Sequence, residues 1–401
     1  MLNLLLLSYW PLNDVLTQGV IVPNIKLLQQ VRSISKIILV TIERENLGQH
    51  DSAIESELSG IKHIPLHSRN YKLNILNKVN DFILFPKQLR KIVEQEKVDF
   101  ILGHGSPAGA LAYKVYRKIG LPFYVSSFEP HADYMLESGV WSRYGLKYIM
   151  QKHWEKQQRK SAFGLMPVAE NYKQTLLAEG LSTEIIRVVP CVVNSSDFKF
   201  EVQKRIQIRA KLGWEAATIG IYIGKYGGLY YNDEAFQIYQ LCFQLIPNFR
   251  LIILSPQPVE ELTVQLQKYN LDSDKVYLAT VPHSEVPAYL SVADFAFATY
   301  KPGPSKKYLS PIKIGEYWAN GLPVLLTEGV GDDSDIIKNE GGGAVFNLQE
   351  NGSLEQAIRQ IQTILQTSAH RHEIPKLALK YRSPEQVLEA YNYFFNQLQQ
   401  S

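Results

Sequence analysis

Short apolar runs alternate with longer stretches of helical periodicity throughout the first half of the chain. Each apolar run predicts a strand, and these runs cover residues 2–7, 37–40, 100–102, 123–125, 163–167 and 185–189. Uninterrupted apolar strands separated by helices are typical of a parallel sheet with helices on both faces. The pattern therefore predicts a doubly wound α/β domain.

The same alternation begins again after Asn194. A second set of apolar runs predicts strands at residues 218–223, 250–254, 275–278, 295–299, 323–326 and 344–346. We therefore predict two doubly wound, Rossmann-like domains in series, covering residues 1–190 and 191–380. Residues 381–401 are expected to form a C-terminal helix that packs back on the N-terminal domain.

Composition and charge narrow the classes of protein that fit this prediction. A chain of 401 residues with 45% hydrophobic and 20% charged residues is neither disordered nor fibrous. Its net charge of +3 is too small for a dedicated nucleic-acid binder. Residues 1–190 nevertheless contain 23 Lys and Arg against 17 Asp and Glu, whereas the remainder contains 19 against 22. This division favours an anionic partner for the first domain.

The cysteines and the N-terminal residues indicate in which cellular compartment the protein is expected. Cys191 and Cys242 are too few for a disulfide framework, which favours a reducing environment. The apolar residues 2–7 lack a preceding basic residue and a following cleavage site, so they do not resemble a signal peptide. No apolar run approaches the ~20 residues that span a bilayer. We therefore expect a cytoplasmic protein with at most a peripheral contact at the inner face of the cell membrane.

Ligands of open parallel sheets bind beside the carboxyl ends of the strands, so the loops that follow the strands should carry the chemistry. In the first domain, two such loops contain His104 and His131. In the second domain, residues 224–228 and 300–311 follow predicted strands. Two domains that face one another would enclose these loops in a cleft.

The segment 310–324 is the most informative of these regions. Ser310 is predicted to cap a short helix that has Pro311 in its first turn. The N-terminus of such a helix attracts phosphate through its free amides and its dipole. Lys313 and Glu316 project on roughly the same face and suit a phosphate and a ribose diol, respectively. A helix that only packs, with these two side chains as a solvated pair, explains the spacing about equally well.

The loop 224–228 is a second candidate phosphate site. Gly224, Gly227 and Gly228 allow a backbone to approach a diphosphate closely, and Lys225 supplies a positive charge. The loop fits neither the dinucleotide-binding pattern nor the P-loop, and a plain glycine turn explains it as well. Its place in the same domain and at the same predicted sheet edge as 310–324 strengthens both candidates.

Residues 310–324, together with the glycines of 329–331 and 341–343, resemble the donor-binding end of glycosyltransferase family four, whose members have the GT-B fold. Residues 276–294 are similar to the stretch that precedes this end, and the resemblance spans most of residues 100–346. It implies a hexosyl- or related transferase of the bacterial surface-polysaccharide type. Such an enzyme moves a sugar from a nucleotide sugar to a glycan or lipid-linked glycan, with retention and without a metal or other cofactor.

The resemblance also implies roles for single residues. Glu316 matches the glutamate that holds the donor ribose, Lys225 matches a basic residue that follows a glycine, and His131 lies near the active-site histidine. His131 and Lys225 are therefore the candidate catalytic residues. The candidate substrate-binding residues are Gly19, His104, Gly224, Gly227, Gly228, Lys307, Ser310, Pro311, Ile312, Lys313 and Glu316.

The sequence departs from the family pattern at two places. Tyr308 stands where many members have a further glutamate, and residues 230–233 stand where many have a second lysine. Lys306, Lys307 and Lys313 are the candidates to replace the missing positive charge.

Several alternatives remain open on the sequence alone. His104 and His131 also fit a structural role near strand ends, and the whole chain also fits a GT-B nucleotide-sugar epimerase or a non-enzymatic two-domain sugar-binding protein. Two Asp-X-Asp triplets, at 272–274 and 333–335, are typical of metal-dependent transferases. We expect the first triplet to form a turn and the second to cap a helix.

A basic amphipathic stretch runs from Arg143 to Lys160 and interleaves cations with aromatic residues. Such a helix can lie on an anionic membrane, although most runs of this kind are solvated faces. The predicted partners are therefore a nucleotide sugar, a glycan or lipid-linked acceptor, and an anionic membrane surface, with no nucleic acid.

Overall fold

The computed structural model describes residues 1–14, 16–44, 58–69, 74–127, 129–367 and 369–400, with side chains throughout these ranges except at 74–79 and 399–400. The chain divides into two compact units. The first unit consists of Met1–Val192 together with Pro384–Ser401, and the second of Val193–Ser383.

Within the described residues, the sheet of the first unit has six parallel strands. In chain order they are Leu2–Ser8 (β1), Ile34–Arg44 (β2), Lys62–Ser68 (β3), Phe100–His104 (β4), Phe123–Ser127 (β5) and Gly164–Pro167 (β6). Their order across the sheet is β3-β2-β1-β4-β5-β6. Leu4 of the central strand β1 pairs with both Ile37 of β2 and Phe100 of β4. Leu4 and its three following leucines have no exposed surface, as expected for a strand covered on both faces.

Helices connect these strands. They are Val22–Leu28 (α1), Asn74–Glu96 (α2), Gly105–Ile119 (α3), His131–Glu137 (α4), Leu146–Ser161 (α5) and Glu170–Ala178 (α6). Helix α3 packs against α2 and α5, whereas α1 packs against the C-terminal helix Pro384–Gln400. The C-terminal helix contributes Tyr391, Phe394 and Phe395 to the core of the first unit, where the Phe395 ring centroid lies 4.7 Å from that of Phe100.

Two strands of the first unit differ from the sequence prediction. The predicted strand 185–189 is wrong, because Thr183–Ile185 form a 3₁₀ turn and Ile186 makes only an isolated bridge to Leu165. Strand β3 was not predicted, because its sequence alternates polar with apolar residues and contains Pro65. An edge strand tolerates both features, since one of its sides needs no partner strand.

The sheet of the second unit also has six parallel strands within the described residues. They are Thr218–Ile223 (β7), Phe249–Leu254 (β8), Val276–Ala279 (β9), Phe295–Ala298 (β10), Val324–Thr327 (β11) and Gly343–Phe346 (β12), and each overlaps a predicted strand. Their order is β12-β11-β10-β7-β8-β9. Strand β10 sends Phe295 and Phe297 into the apolar core on one face and Ala296 and Ala298 into the core on the other.

The helices of the second unit surround this sheet. They are Val202–Leu212 (α7), Asp233–Leu245 (α8), Val259–Lys268 (α9), Val286–Val292 (α10), Ile312–Ala319 (α11), Asp333–Glu340 (α12), Ser353–Gln366 (α13), His370–Glu373 (α14) and Pro375–Tyr381 (α15). No helix in the described ranges of either unit combines the length and the apolar character of a membrane span.

Candidate functional site

The strand order of the second unit reverses between β7 and β10. The chain leaves β7 for β8 on one side, and it later enters β10 on the other side of β7. Such a reversal opens a crevice beside the carboxyl ends of the two strands, where ligands of doubly wound sheets bind. The loops that follow β7 and β10 meet there, because Tyr230 and Tyr300 form an antiparallel bridge with their ring centroids 4.8 Å apart.

Lys313, in the first turn of α11, reaches the loop that follows β7. Its Nζ donates a hydrogen bond of 3.0 Å to the carbonyl of Ile223, the last residue of β7. Three tyrosine rings surround the ammonium, and the nearest, that of Tyr230, has its centroid 4.1 Å from Nζ. A Cβ at Gly224 would lie 3.0 Å from the same nitrogen. The two segments predicted to hold phosphate are therefore in direct contact.

The loop 224–228 depends on its glycines. Gly224, Gly227 and Gly228 have φ values of +132°, +79° and +62°, which side-chain-bearing residues rarely adopt. The buried Tyr222 donates a hydrogen bond of 2.7 Å from its hydroxyl to the carbonyl of Lys225. The Lys225 side chain itself is exposed. The loop is thus anchored through its backbone and presents a cation to solvent.

Glu316 lies one turn after Lys313 and is only 4% exposed. Its Oε1 is 2.9 Å from Nε2 of His283, a side chain that is 70% exposed. This hydrogen bond to the carboxylate raises the pKa of His283 above its ordinary value. Sequence spacing does not point to His283, because 33 residues separate it from Glu316 and no spacing rule joins them.

The start of α11 differs from the prediction. The helix begins at Ile312 with Pro311 at the N-cap, so the predicted capping role of Ser310 is wrong. The Ser310 hydroxyl instead accepts a hydrogen bond from the buried Arg382, which also donates to Asp333. The triplet 333–335 begins helix α12 as predicted, but its predicted capping role is wrong. The N-cap is Asp332, and the Asp333 carboxylate accepts the hydrogen bond from Arg382 instead.

The other Asp-X-Asp triplet forms the predicted turn. Asp272 accepts a hydrogen bond of 3.1 Å from the amide of Asp274 as a 3₁₀ turn begins, and it also pairs with Lys275.

The three lysines considered as replacements for the missing charge have different surroundings. Lys306 and Lys307 lie with Tyr308 in a 3₁₀ turn. Lys306 is only 3% exposed, whereas Lys307 is exposed and has its Nζ 5.1 Å from the Tyr308 ring centroid. Lys313 is the one in contact with the glycine loop.

His131 of the first unit is the first residue of α4. Its Nδ1 lies 3.0 Å from Oε1 of Glu129, and the two side chains are 19% and 12% exposed. The imidazole and the Trp141 ring form a T-shaped pair with a centroid distance of 5.6 Å. When Nδ1 carries the proton, it donates to the carboxylate and leaves Nε2 as an acceptor. The ring is thus oriented by its neighbours.

Two other predicted residues of the first unit are less suited to ligand contact. His104 has no exposed surface, so its predicted contact with an acceptor does not fit its position. Burial lowers the pKa of His104 to about 4, which keeps the imidazole neutral. Gly19 lies in a π-helical turn, Thr17–Ile21, and a Cβ there would meet nothing within 4 Å. The protein around Gly19 therefore does not require a glycine.

Solved structures of other proteins resemble this chain over nearly its full length. Anabaena HepE in complex with UDP superposes with a TM-score of 0.70 at 14% identity, covering 99% of both chains. A glycosyltransferase from Rickettsia africae gives 0.69 at 15% identity over 100% of this chain and 99% of that one. The α,α-trehalose 6-phosphate synthase of Burkholderia multivorans gives 0.70 at 12% identity, again over 100% and 99%. The chain has the GT-B fold. No protein-family model and no curated protein matches its sequence.

Within the GT-B fold, the Arg382 contact carries a testable consequence for stability. Arg382 and Asp333 are 3% and 0% exposed, so removing one charge leaves the other buried without its partner. We expect Arg382→Met to lower the free energy of unfolding of the second unit by about 3–5 kcal/mol. Adding Asp333→Asn to Arg382→Met should restore much of this loss, because no unpaired charge then remains.

Urea unfolding of the full chain measures both effects. The matched control is Lys338→Met, which breaks the exposed Lys338–Glu328 pair and should cost about 1 kcal/mol or less. A loss for Arg382→Met no larger than that of the control would contradict a stabilising role for the buried contact.

Proposed function

We propose that the protein is a glycosyltransferase of the family-four type. It transfers a sugar from a nucleoside-diphosphate sugar to a glycan or lipid-linked glycan acceptor, with retention of anomeric configuration and without a metal ion. Its second unit binds the donor, and its first unit binds the acceptor.

The observation that carries this proposal is the pair of charged residues on α11 at the β7–β10 crevice. Lys313 faces the glycine loop, and one turn later Glu316 offers a buried carboxylate. A nucleoside diphosphate carries two matching groups, an anionic diphosphate and a ribose diol. Amides at the very start of a helix lack i−4 partners, so those of Ile312 and Lys313 add donors for the diphosphate. Anabaena HepE has been solved with UDP and with UDP-glucose, which supports a donor of this class.

The proposed reaction breaks the bond between the sugar C1 and the diphosphate oxygen, and the electron pair leaves with the diphosphate. The acceptor hydroxyl forms the new C1–O bond on the same face of the sugar, and its proton passes to an oxygen of the leaving diphosphate. Catalysis then consists of holding the reactants together and stabilising negative charge on the leaving group. Lys225 and Lys313 supply that stabilisation, and His131, oriented by Glu129, contacts the transferred sugar.

We assign the reaction to the cytoplasm. The two cysteines, Cys191 and Cys242, are both buried as thiols, which suits a reducing compartment.

Glu316→Ala tests the donor site. We expect it to weaken binding of the preferred nucleoside diphosphate by roughly ten- to a hundred-fold, because a hydrogen bond to a charged group contributes about 1.5–3 kcal/mol. Binding of the 2′,3′-dideoxy form of the same nucleotide should be weak and equal in the wild type and the variant. A thermal-shift panel of UDP, GDP, ADP and CDP selects the nucleotide, and titration calorimetry measures its Kd.

The control for Glu316→Ala is Glu328→Ala, which removes a partly exposed carboxylate of the same unit. An unchanged Kd, or an equal loss for the ribose and dideoxy forms, would show that Glu316 does not hold the diol. Incubation of the wild type with the matching nucleotide sugar and no acceptor separates transfer from epimerisation. Only an epimerase converts the nucleotide sugar into its epimer without an acceptor.

A further inference from the structure

A groove of about 650 Å³ opens between helices α2, α3 and α5 of the first unit. The candidate site residues of the first unit, Gly19, His104 and His131, are not among its lining residues. Its apolar lining includes Phe82, Ile83 and Trp154, and no Asp or Glu side chain is among its described lining residues. The basic residues that line it are Lys87, Arg90, Lys114, Arg117, Lys118 and His153.

The inner wall of the groove is rigid. The Phe82 and Trp154 rings stack at an interplanar angle of 8° with their centroids 6.2 Å apart. Lys114 packs against both rings, with its Nζ 5.7 Å and 5.1 Å from their centroids, and it donates a hydrogen bond of 2.7 Å to the Phe82 carbonyl. Lys114 is therefore part of the wall.

Four further cations form what we call the basic rim: Lys87, Arg90, Arg117 and Lys118, all of which are exposed. The nearest acidic group on α2 is Glu94, which is exposed and lies 3.4 Å from Arg90. Two helices thus place four positive charges around one opening, with a single carboxylate beside them.

Three exposed branched side chains form what we call the apolar ridge: Ile83, which lines the groove, and Leu146 and Ile149, which lie on α5. They are 55%, 54% and 54% exposed, respectively. Leu146 and Ile149 lie on the same face of α5 as His153, which lines the groove. Apolar surface of this kind beside a cation cluster marks an interaction site rather than an ordinary solvated face.

Two cations of the basic stretch 143–160 are already paired with carboxylates in the structure. Lys152 is paired with Asp133 at 2.6 Å, and Arg159 lies 3.4 Å from Glu179. Helix α5 therefore contributes fewer free cations than its sequence suggests. The basic rim instead comes from α2 and α3, which no sequence pattern joined to α5.

We propose that the groove, the basic rim and the apolar ridge bind the surface of a bilayer that contains acidic phospholipids. The lipid phosphates lie between the cations of the basic rim, and the apolar ridge enters the boundary of the acyl region. A free phosphate, an acidic peptide or a nucleic acid would use the basic rim but leave the apolar ridge in water. An acidic bilayer matches both. This inference does not depend on the donor site.

Flotation of the full-length protein with vesicles tests the proposal. We expect binding to vesicles of phosphatidylcholine with about 30 mol% phosphatidylglycerol at about 0.1 M salt, and little binding to phosphatidylcholine alone. The rim variant, Lys87→Gln/Arg90→Gln/Lys118→Gln, should lower the partition coefficient by roughly ten- to a hundred-fold. The ridge variant, Ile83→Ser/Ile149→Ser, should lower it by roughly ten-fold while the remaining binding stays salt-dependent.

The matched control removes three exposed cations elsewhere, as Arg32→Gln/Lys204→Gln/Lys211→Gln. It should float like the wild type, and thermal unfolding checks that each variant is folded. The proposal fails if the wild type does not float, or if the control loses as much binding as the rim variant. It also fails if the ridge variant binds normally, or if a single-stranded oligonucleotide or soluble polyphosphate binds more tightly than the acidic vesicles.

Discussion

Lys225→Ala is expected to lower the turnover number for sugar transfer by roughly a hundred-fold, the low end of the loss that follows removal of one donor to a developing anion. Lys225 is exposed, on a glycine loop whose backbone Tyr222 anchors, so its side chain is free to reach a leaving diphosphate. Negative charge on that group grows as the sugar bond breaks. The loss should therefore fall on kcat more than on the Kd of the donor.

Two companion variants make this expectation specific to Lys225. Lys225→Arg keeps the charge and should recover part of the rate. Lys307→Ala removes an exposed lysine from the loop that precedes α11 and tests whether Lys307 supplies the charge that the family pattern lacks. Steady-state kinetics with the preferred donor measure all three. Equal losses for Lys225→Ala and Lys307→Ala would assign the charge to the whole region rather than to one lysine, and an unaltered kcat for Lys225→Ala would exclude it from catalysis.

His131→Ala is expected to reduce transfer by roughly a hundred-fold or more while the Kd of the nucleoside diphosphate stays unchanged, because the nucleotide site that we propose consists of residues of the second unit. Oε1 of Glu129 lies 3.0 Å from Nδ1 of His131, and the Trp141 ring packs against the imidazole in a T-shaped arrangement. An imidazole held in one orientation can position the transferred sugar as well as form a hydrogen bond to it. Glu129→Gln keeps a hydrogen-bonding partner for the imidazole and should therefore lower kcat less than His131→Ala.

The control for His131→Ala is His67→Ala, which removes an exposed histidine from the edge strand β3 of the same unit. Turnover and calorimetry together distinguish the outcomes. A His131→Ala enzyme with normal turnover would give the imidazole a purely structural role. A parallel loss of nucleotide binding would show that the substitution disturbs more than the sugar contact.

Most strand positions were predictable because a parallel strand that is buried on both faces has a continuous apolar sequence. All six strands of the second unit and five of the six in the first overlap such runs. The one described strand that overlaps no such run has a physical explanation. Strand β3 lies at a sheet edge, where polar residues and Pro65 are tolerated, so its sequence does not read as a buried strand.

The candidate site was predictable only in part. Sequence spacing indicated that Lys313 and Glu316 share a helix face and that the glycine loop lies at the same sheet edge. It did not indicate the contact of Lys313 with Ile223, the pairing of Glu316 with His283, or the bond from Arg382 to Ser310. Each of these joins residues that are distant in the chain.

The sequence by itself determined the α/β class, the division into two doubly wound halves and the glycine, lysine and glutamate positions at the second sheet edge. These features follow from local periodicity and from residue chemistry, which any stretch of chain carries with it. Only the tertiary structure decided which charges are buried, which are paired and which face solvent. His104 and Lys306 are buried, and the basic rim combines residues of two helices. Neither fact could be predicted from the sequence, because burial and long-range pairing depend on how distant segments pack.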